Sequence, residues 1–318
     1  MPYSRRRFLT ATSMAAAGLG ASTQAALLTP KEVKKKPGAD PKPGLPIQPW
    51  SRPLVGCQLY VWGQYYQRAG KAIDLDEVFA ALKSAGYDYA EGSLNVQDHE
   101  ANTAFSEKLR KHGLVPVSLY TGGEFHLLGR ASQTANRIAE AAKAAKNQGF
   151  EIIVCNPDPI GRDKSVQELA IQGSALAELG QELKKAGMKL GLHHHTPELR
   201  SEAREFHANF HHTKPGDVGF CIDTHWMFRG GVPPMEALSR YADRVCSWHL
   251  RQSRAGVWWE DLDDGDINYS EIARFAKARK LPVRYTVELA LEPATVITRD
   301  AAANHARSRQ WVRRVFGV

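Results

Sequence analysis

Several common signals are missing from this 318-residue chain, and each absence closes off a class of function. Past the N-terminal stretch no run approaches the roughly 18 apolar residues that a spanning helix needs. Neither GxGxxG nor GxxxxGKS/T occurs, so the Gly-rich loops that cradle nucleotide phosphates are not available. Cysteine is scarce: Cys57, Cys155, Cys221 and Cys246 show no CxxC spacing and no Cys/His zinc pattern. Each falls in an apolar, strand-like run, which predicts buried free thiols. A basic surface is also lacking, despite a net charge of +8. Eight of the 42 Lys and Arg and two of the 34 Asp and Glu lie in residues 1–50, which leaves only +2 for the remainder. Without a basic stripe, nucleic acid is not an expected partner.

The excess charge belongs to an N-terminal segment of a recognisable kind. Ser4-Arg5-Arg6-Arg7-Phe8-Leu9, followed by the Ala/Gly-rich stretch Ala11–Ala21, resembles a twin-arginine export signal. Thr23 and Ala25 supply the small residues that a signal peptidase reads, so residues 1–25 are expected to be removed after Ala25. This implies the twin-arginine export machinery as a partner, a periplasmic or extracytoplasmic location, and no stable membrane anchor after processing. Residues 26–51 are rich in Pro and Lys without hydrophobic periodicity and read as a linker.

From residue 52 to 318 apolar runs and helical patterns alternate. Strands are expected at Leu54–Tyr60, Tyr87–Glu91, Leu114–Leu119, Glu151–Cys155, Met188–Leu192, Val218–Ile222, Arg244–Trp248 and Pro282–Val287. Helices are expected near Asp74–Ala85, Ala101–His112, Ser132–Asn147, Ser165–Ala186, Pro234–Tyr241, Ser270–Arg279 and Ala301–Val315. Gly86, Gly113, Gly149 and Gly187 each stand between a helix and the next strand, where a left-handed residue closes a helix. Eight such units over about 250 residues predict an α/β protein, a (β/α)8 TIM barrel filling 52–318 as a single domain.

Four of the strands end in a side chain able to bind a metal. Met188–Leu192 runs into His193-His194-His195; alternation places His193 and His195 on one face and His194 on the other. The sixth strand runs into Asp223, the seventh into His249 and the eighth into Glu288, at intervals of 30, 26 and 39 residues, each room for one helix and one strand. In a TIM barrel the ends of the strands form one mouth, so these four residues are expected to share a divalent ion. Mixed nitrogen and oxygen donors suit Mn, Zn, Co, Fe or Mg rather than Ca, with the identity open.

These motifs resemble the sugar phosphate isomerase/epimerase group of xylose isomerase-like barrels. Lys189–Leu199 (KLGLHHHTPEL) looks like its HxH-x-x-E stretch, and Phe220–Trp226 (FCIDTHW) is similar to its strand-six Asp-Thr segment. Ser247–Arg251, Gly265-Asp266-Ile267 and Val287–Glu288 match its later segments. The resemblance implies a metal that holds adjacent oxygens of a sugar or keto-sugar while acid/base groups move a proton beside a carbonyl. Epimerases of the group pair a strand-five Glu with the strand-eight Glu; here the strand-five position is His193, and Glu198 follows five residues on. Glu288 is therefore expected to serve as ligand and base, and His195 or Glu198 as second proton carrier. Elimination or hydration of a keto-glycoside uses the same machinery and is the alternative reaction. A sugar-binding barrel without catalysis is the alternative outside enzymology.

Glu91, Asn156, Asp158, His225, Trp226 and Arg254 stand near strand ends and are expected to contact substrate. Arg251 is a weaker candidate, with a solvent-facing position expected. Trp62, Trp258 and Trp259 read either as a stacking floor for a sugar ring or as packing. The acidic run Glu260–Asp266 reads as a solvated turn, and His211 and His212 as surface residues.

Overall fold

The structure, a computed structural model, describes residues 52–318; the expected export signal and the linker lie outside the described residues. Eight parallel strands close into a barrel: β1 (Leu54–Gln58), β2 (Tyr89–Ser93), β3 (Ser118–Gly123), β4 (Ile152–Pro157), β5 (Lys189–Leu192), β6 (Val218–Asp223), β7 (Val245–Leu250) and β8 (Arg284–Val287). Every strand pairs in parallel with its sequence neighbours, and β8 pairs with β1. The TIM barrel expected from the alternation is the fold observed.

Polar side chains fix where several of the helices begin. Asp74 accepts from the amides of Asp76 and Glu77 at the start of Leu75–Ser84, and Ser165 with Glu168 forms a capping box before Val166–Lys185. The helices that precede β2 to β5 end at Gly86, Gly113, Gly149 and Gly187, all with positive φ. There the residue after the glycine turns back to the helix: the Tyr87 amide donates to Leu82 O at 3.0 Å and that of Leu114 to Leu109 O at 2.9 Å. These apolar residues cap helices from below and do not open strands. That is why β2 and β3 start later than the apolar runs imply, at Tyr89 and Ser118. A helix at Tyr60–Arg68 is absent from the sequence reading, which extends the first strand to Tyr60; no side chain caps it at Leu59.

The main core lies between sheet and helices, with smaller clusters inside the barrel. Tyr120, Ile152, Val154 and Cys221 pack together, as do Leu54, Tyr89 and Val117 nearer the strand starts. The Tyr89 hydroxyl reaches Thr286 Oγ1 at 2.7 Å across the closed β1–β8 seam. All four cysteines are buried free thiols, as expected. Trp62 stacks on His305 at 4.8 Å and belongs to the core.

Candidate metal centre

Register brings the four strand-end side chains into one row. Asp223 on β6 is the Cα partner of His249 on β7, the His193 amide donates to Cys155 O at 2.9 Å, and that of Glu288 to Leu250 O at 3.0 Å. The ladders thus continue past β5 and β8 by one residue, and that residue carries the donor.

One donor atom from each of His193, Asp223, His249 and Glu288 lies within 4.8 Å of the others, and all four residues are buried. His193 Nε2 is 3.4 Å from Asp223 Oδ2 and 3.9 Å from Glu288 Oε2; His249 Nδ1 is 2.6 Å from Glu288 Oε2. Asp223 divides its carboxylate. Oδ1 accepts from the amides of His225 and Trp226, capping the short helix Thr224–Arg229, while Oδ2 faces the cluster.

The first half of the barrel supplies the partners that orient these donors. Glu91 Oε1 on β2 lies 2.9 Å from His249 Nε2, and its Oε2 accepts from the Ser118 hydroxyl at 2.6 Å. Asn156 Oδ1 is 3.3 Å from His193 Nδ1, and Asn156 Nδ2 donates to Glu198 Oε1 at 3.0 Å. Each imidazole therefore turns one nitrogen to the cluster and the other to an oxygen of a neighbouring polar side chain, Glu91 at 2.9 Å from His249 and Asn156 at 3.3 Å from His193, the kind of placement that orients metal-binding histidines. Burial opposes charge on His249, yet the surrounding Cys221, Glu91 and Glu288 outweigh it and raise its pKa well above the ordinary imidazole value.

The remaining residues expected at the site fall into distinct positions. Glu198 stands outside the four-donor group, its Oε2 accepting from the His195 amide at 2.9 Å; Asn156 links it to His193. Burial, with a contribution from Glu205, pushes its carboxyl up to about 7. The half-buried His195 ring lies 4.8 Å from His193 and 5.1 Å from Trp226. His194 points away as alternation requires, with Nε2 donating to Asp223 O and its ring against Phe206 and Phe220. His225 is fully buried and held down to about 3 by burial and Arg251. Asp158 is half-buried past β4, its amide on Gly123 O at 2.8 Å. Arg254 sits 4.0 Å over Trp259 and bonds Asp264 O, engaged with its own loop.

Two expectations need correction. Arg251 does not face solvent: it is fully buried, donates to Asp223 Oδ2 at 3.1 Å, and lies 5.0 Å from the ring of Trp226 and 4.7 Å from that of Trp258. Its position on a strand-end loop gave no sign of this, although two tryptophans within eight residues are a signal for stacking. The acidic run is not simply a solvated turn either. Glu260 and Asp261 are buried, receiving Thr298, Asn304, Arg299 and Arg307, and so clamp the loop after β7 to the last helix, Ala301–Phe316. The exposed His211 and His212 agree with the sequence reading.

Comparison with known proteins identifies the family. The model of the xylose isomerase-like TIM barrel matches residues 79–315. The chain belongs to that family. It is 29% identical over 200 residues to an inosose dehydratase of Geobacillus kaustophilus (strain HTA426), covering 57% of this chain and 63% of that protein. The chain thus spans somewhat less than two thirds of the length of this curated relative. An L-ribulose 3-epimerase structure superposes with a TM-score of 0.67 at 16% identity, covering 84% of this chain and 95% of the other. A 3-keto-D-glucoside 4-epimerase from E. coli gives 0.60 at 16% identity, covering 83% and 100%. Family members are sugar epimerases, isomerases and a dehydratase, and this chain shares their barrel.

Proposed function

We propose that this chain is a divalent-metal-dependent enzyme that moves a proton at the carbon beside a carbonyl of a sugar or keto-sugar. The observation that carries the reading is the convergence of His193, Asp223, His249 and Glu288, from four successive strand ends, within 4.8 Å. Charge supports it as well. The carboxylates of Asp223, Glu288 and Glu91 are fully buried beside one permanent cation, Arg251. Buried carboxylates are costly without compensation, and the excess of negative charge that remains when both imidazoles are neutral suits a divalent ion. Two imidazoles with two carboxylates fit Mn, Zn, Co, Fe or Mg.

When bound, the metal polarises the substrate carbonyl and makes the neighbouring C–H more acidic. Glu288 is the proposed base that takes the proton from that carbon. His195, beside His193 and outside the four-donor group, is the proposed group that returns a proton to the other face, which inverts the carbon. Glu198 acts as a positioning residue through Asn156. His225, Trp226 and Arg251 border the Asp223 side and are proposed to orient the ligand's oxygens.

A dehydratase reading shares the first step: the C–H proton goes to Glu288, and a hydroxyl on the next carbon leaves as water after taking a proton from His195. The favouring observation is that His193 occupies the end of β5, so the four-donor group holds no second glutamate. Likeness to inosose dehydratase supports this version. The experiment that tests both is metal analysis with proton exchange in heavy water, using inosose and a 3-keto-glucoside as probes. Deuterium entering the substrate, or water loss, together with about one equivalent of metal is expected. Bound metal with neither exchange nor turnover would leave a binding protein.

We also propose that the chain is exported through the twin-arginine route. Support is confined to the sequence of residues 4–25. Replacing Arg5 and Arg6 by Lys should keep the unprocessed chain in the cytoplasm, read by cell fractionation.

A further inference from the structure

The opposite mouth of the barrel, where strands begin, holds a cleft of about 670 Å3. Arg52, Lys146, Lys189, Lys280 and Arg284 line it against one acidic residue, Glu151. Five cations gathered in one concavity stand out on a body whose net charge is only +2 from residue 52 onward.

Backbone geometry at Lys280 is the second observation. The helix Tyr269–Ala278 stops in the same back-bonded turn as the helices before β2 to β5: the Lys280 amide donates to Lys277 O at 3.2 Å and that of Leu281 to Ala276 O at 3.0 Å. Those other four junctions put glycine at the left-handed position, whereas here Lys280 adopts φ +52. L side chains are disfavoured in that conformation, and such strain gathers where a side chain serves a ligand. The strained residue borders the cationic cleft.

We propose that this cleft binds a phosphate-bearing anion, at the end of the barrel opposite the metal centre. Its volume is in the range of small-ligand sites, and a concave surface with a strong excess of one sign concentrates its field on an oppositely charged ligand. Part of the charge is already matched, since Arg52 pairs with Asp88 at 2.8 Å and Arg284 lies 3.9 Å from Glu151. Lys146 donates to Gly187 O at 2.9 Å and keeps further N–H groups. Lys189 opens β5 and, like Lys280, is exposed with no ion-pair partner among the described residues. These two ammonium groups are the open contacts for phosphate oxygens, while Leu281, Pro282 and Val283 offer an apolar wall to the organic part. A free phosphate ester and the head group of an anionic phospholipid share this chemistry.

The test uses the full chain with sn-glycerol 3-phosphate by calorimetry and phosphatidylglycerol vesicles by co-sedimentation. Salt-sensitive binding of the free ester identifies a soluble ligand; binding of vesicles alone identifies the head group. In either case K189E should weaken binding at least tenfold. K280G should weaken it several-fold and yet raise Tm by about 2 °C, because glycine relieves the left-handed backbone. Both variants should leave metal content and proton exchange at the other mouth unchanged. The proposal is overturned if neither probe binds, or if binding is indifferent to both substitutions.

Discussion

The two halves of the barrel use their strand ends differently. Strands β5 to β8 each deliver one donor to the candidate metal centre, whereas β2 and β4 deliver Glu91 and Asn156, which stand behind the donors. The difference separates affinity from aim. Side chains of the second half would bond the ion, and those of the first half decide which imidazole nitrogen faces it and with what angle.

The most forceful way to break this comparison is to remove a donor. D223N takes a negative charge from the cluster and from Arg251 together, while the amide oxygen can still cap the helix Thr224–Arg229. Metal affinity should fall by more than about 100-fold and exchange activity should vanish, measured by metal titration and by deuterium incorporation. Removing a support should do less. E91Q should lower metal affinity by about 10- to 100-fold, and N156L by the lower end of that range, since the Asn156–His193 contact is longer, 3.3 Å against 2.9 Å. Equal losses for D223N and E91Q would dissolve the division between the halves.

Much of the donor half was legible in the sequence because one local pattern recurred: an apolar run that ends in His, Asp or Glu. The supporting half was harder to read. A carboxylate such as Glu91 looks the same in sequence whether it caps a helix, bonds a sugar or holds His249, and only closure of β1, β2 and β8 decides. Strand limits slipped where an apolar residue after glycine closes a helix, as Tyr87 and Leu114 do. Arg251 was misread because its burial depends on Trp226 and Trp258 arriving from separate segments, one from the helix after β6 and the other from the stretch after β7. The choice between His193 and Glu198 within the four-donor group likewise needed geometry: five residues apart, they end on opposite sides of Asn156.

A sharper probe of the link between the halves is pH. Glu198 bonds Asn156 across that link, and burial raises its carboxyl to about 7 in the folded chain from an ordinary value of 4.5. The folded state therefore holds the proton more tightly than the unfolded one. Its favourable contribution is complete below pH 4.5 and is lost as pH rises through 7. On this account wild-type stability declines between pH 5 and 8 by an amount on the order of 1–3 kcal/mol from this group. E198Q keeps the shape and removes the proton exchange, so its denaturant midpoint should change less across the same interval.

The smallest expected effect lies in the scaffold that carries β5. Ser165 and Glu168 close the capping box of the helix Val166–Lys185, and this helix ends where Gly187 leads into β5 and His193. S165A removes the hydroxyl that accepts from the Glu168 amide at 3.2 Å, leaving an unpaired donor at the helix start. Such losses cost about 1 kcal/mol, which for a domain of this size lowers Tm by about 2–4 °C. Ser165 touches neither the four donors nor their supports, so metal affinity should stay within twofold of wild type. A larger fall in affinity would mean that the position of β5 is set by its helix as well as by its ladders to β4 and β6.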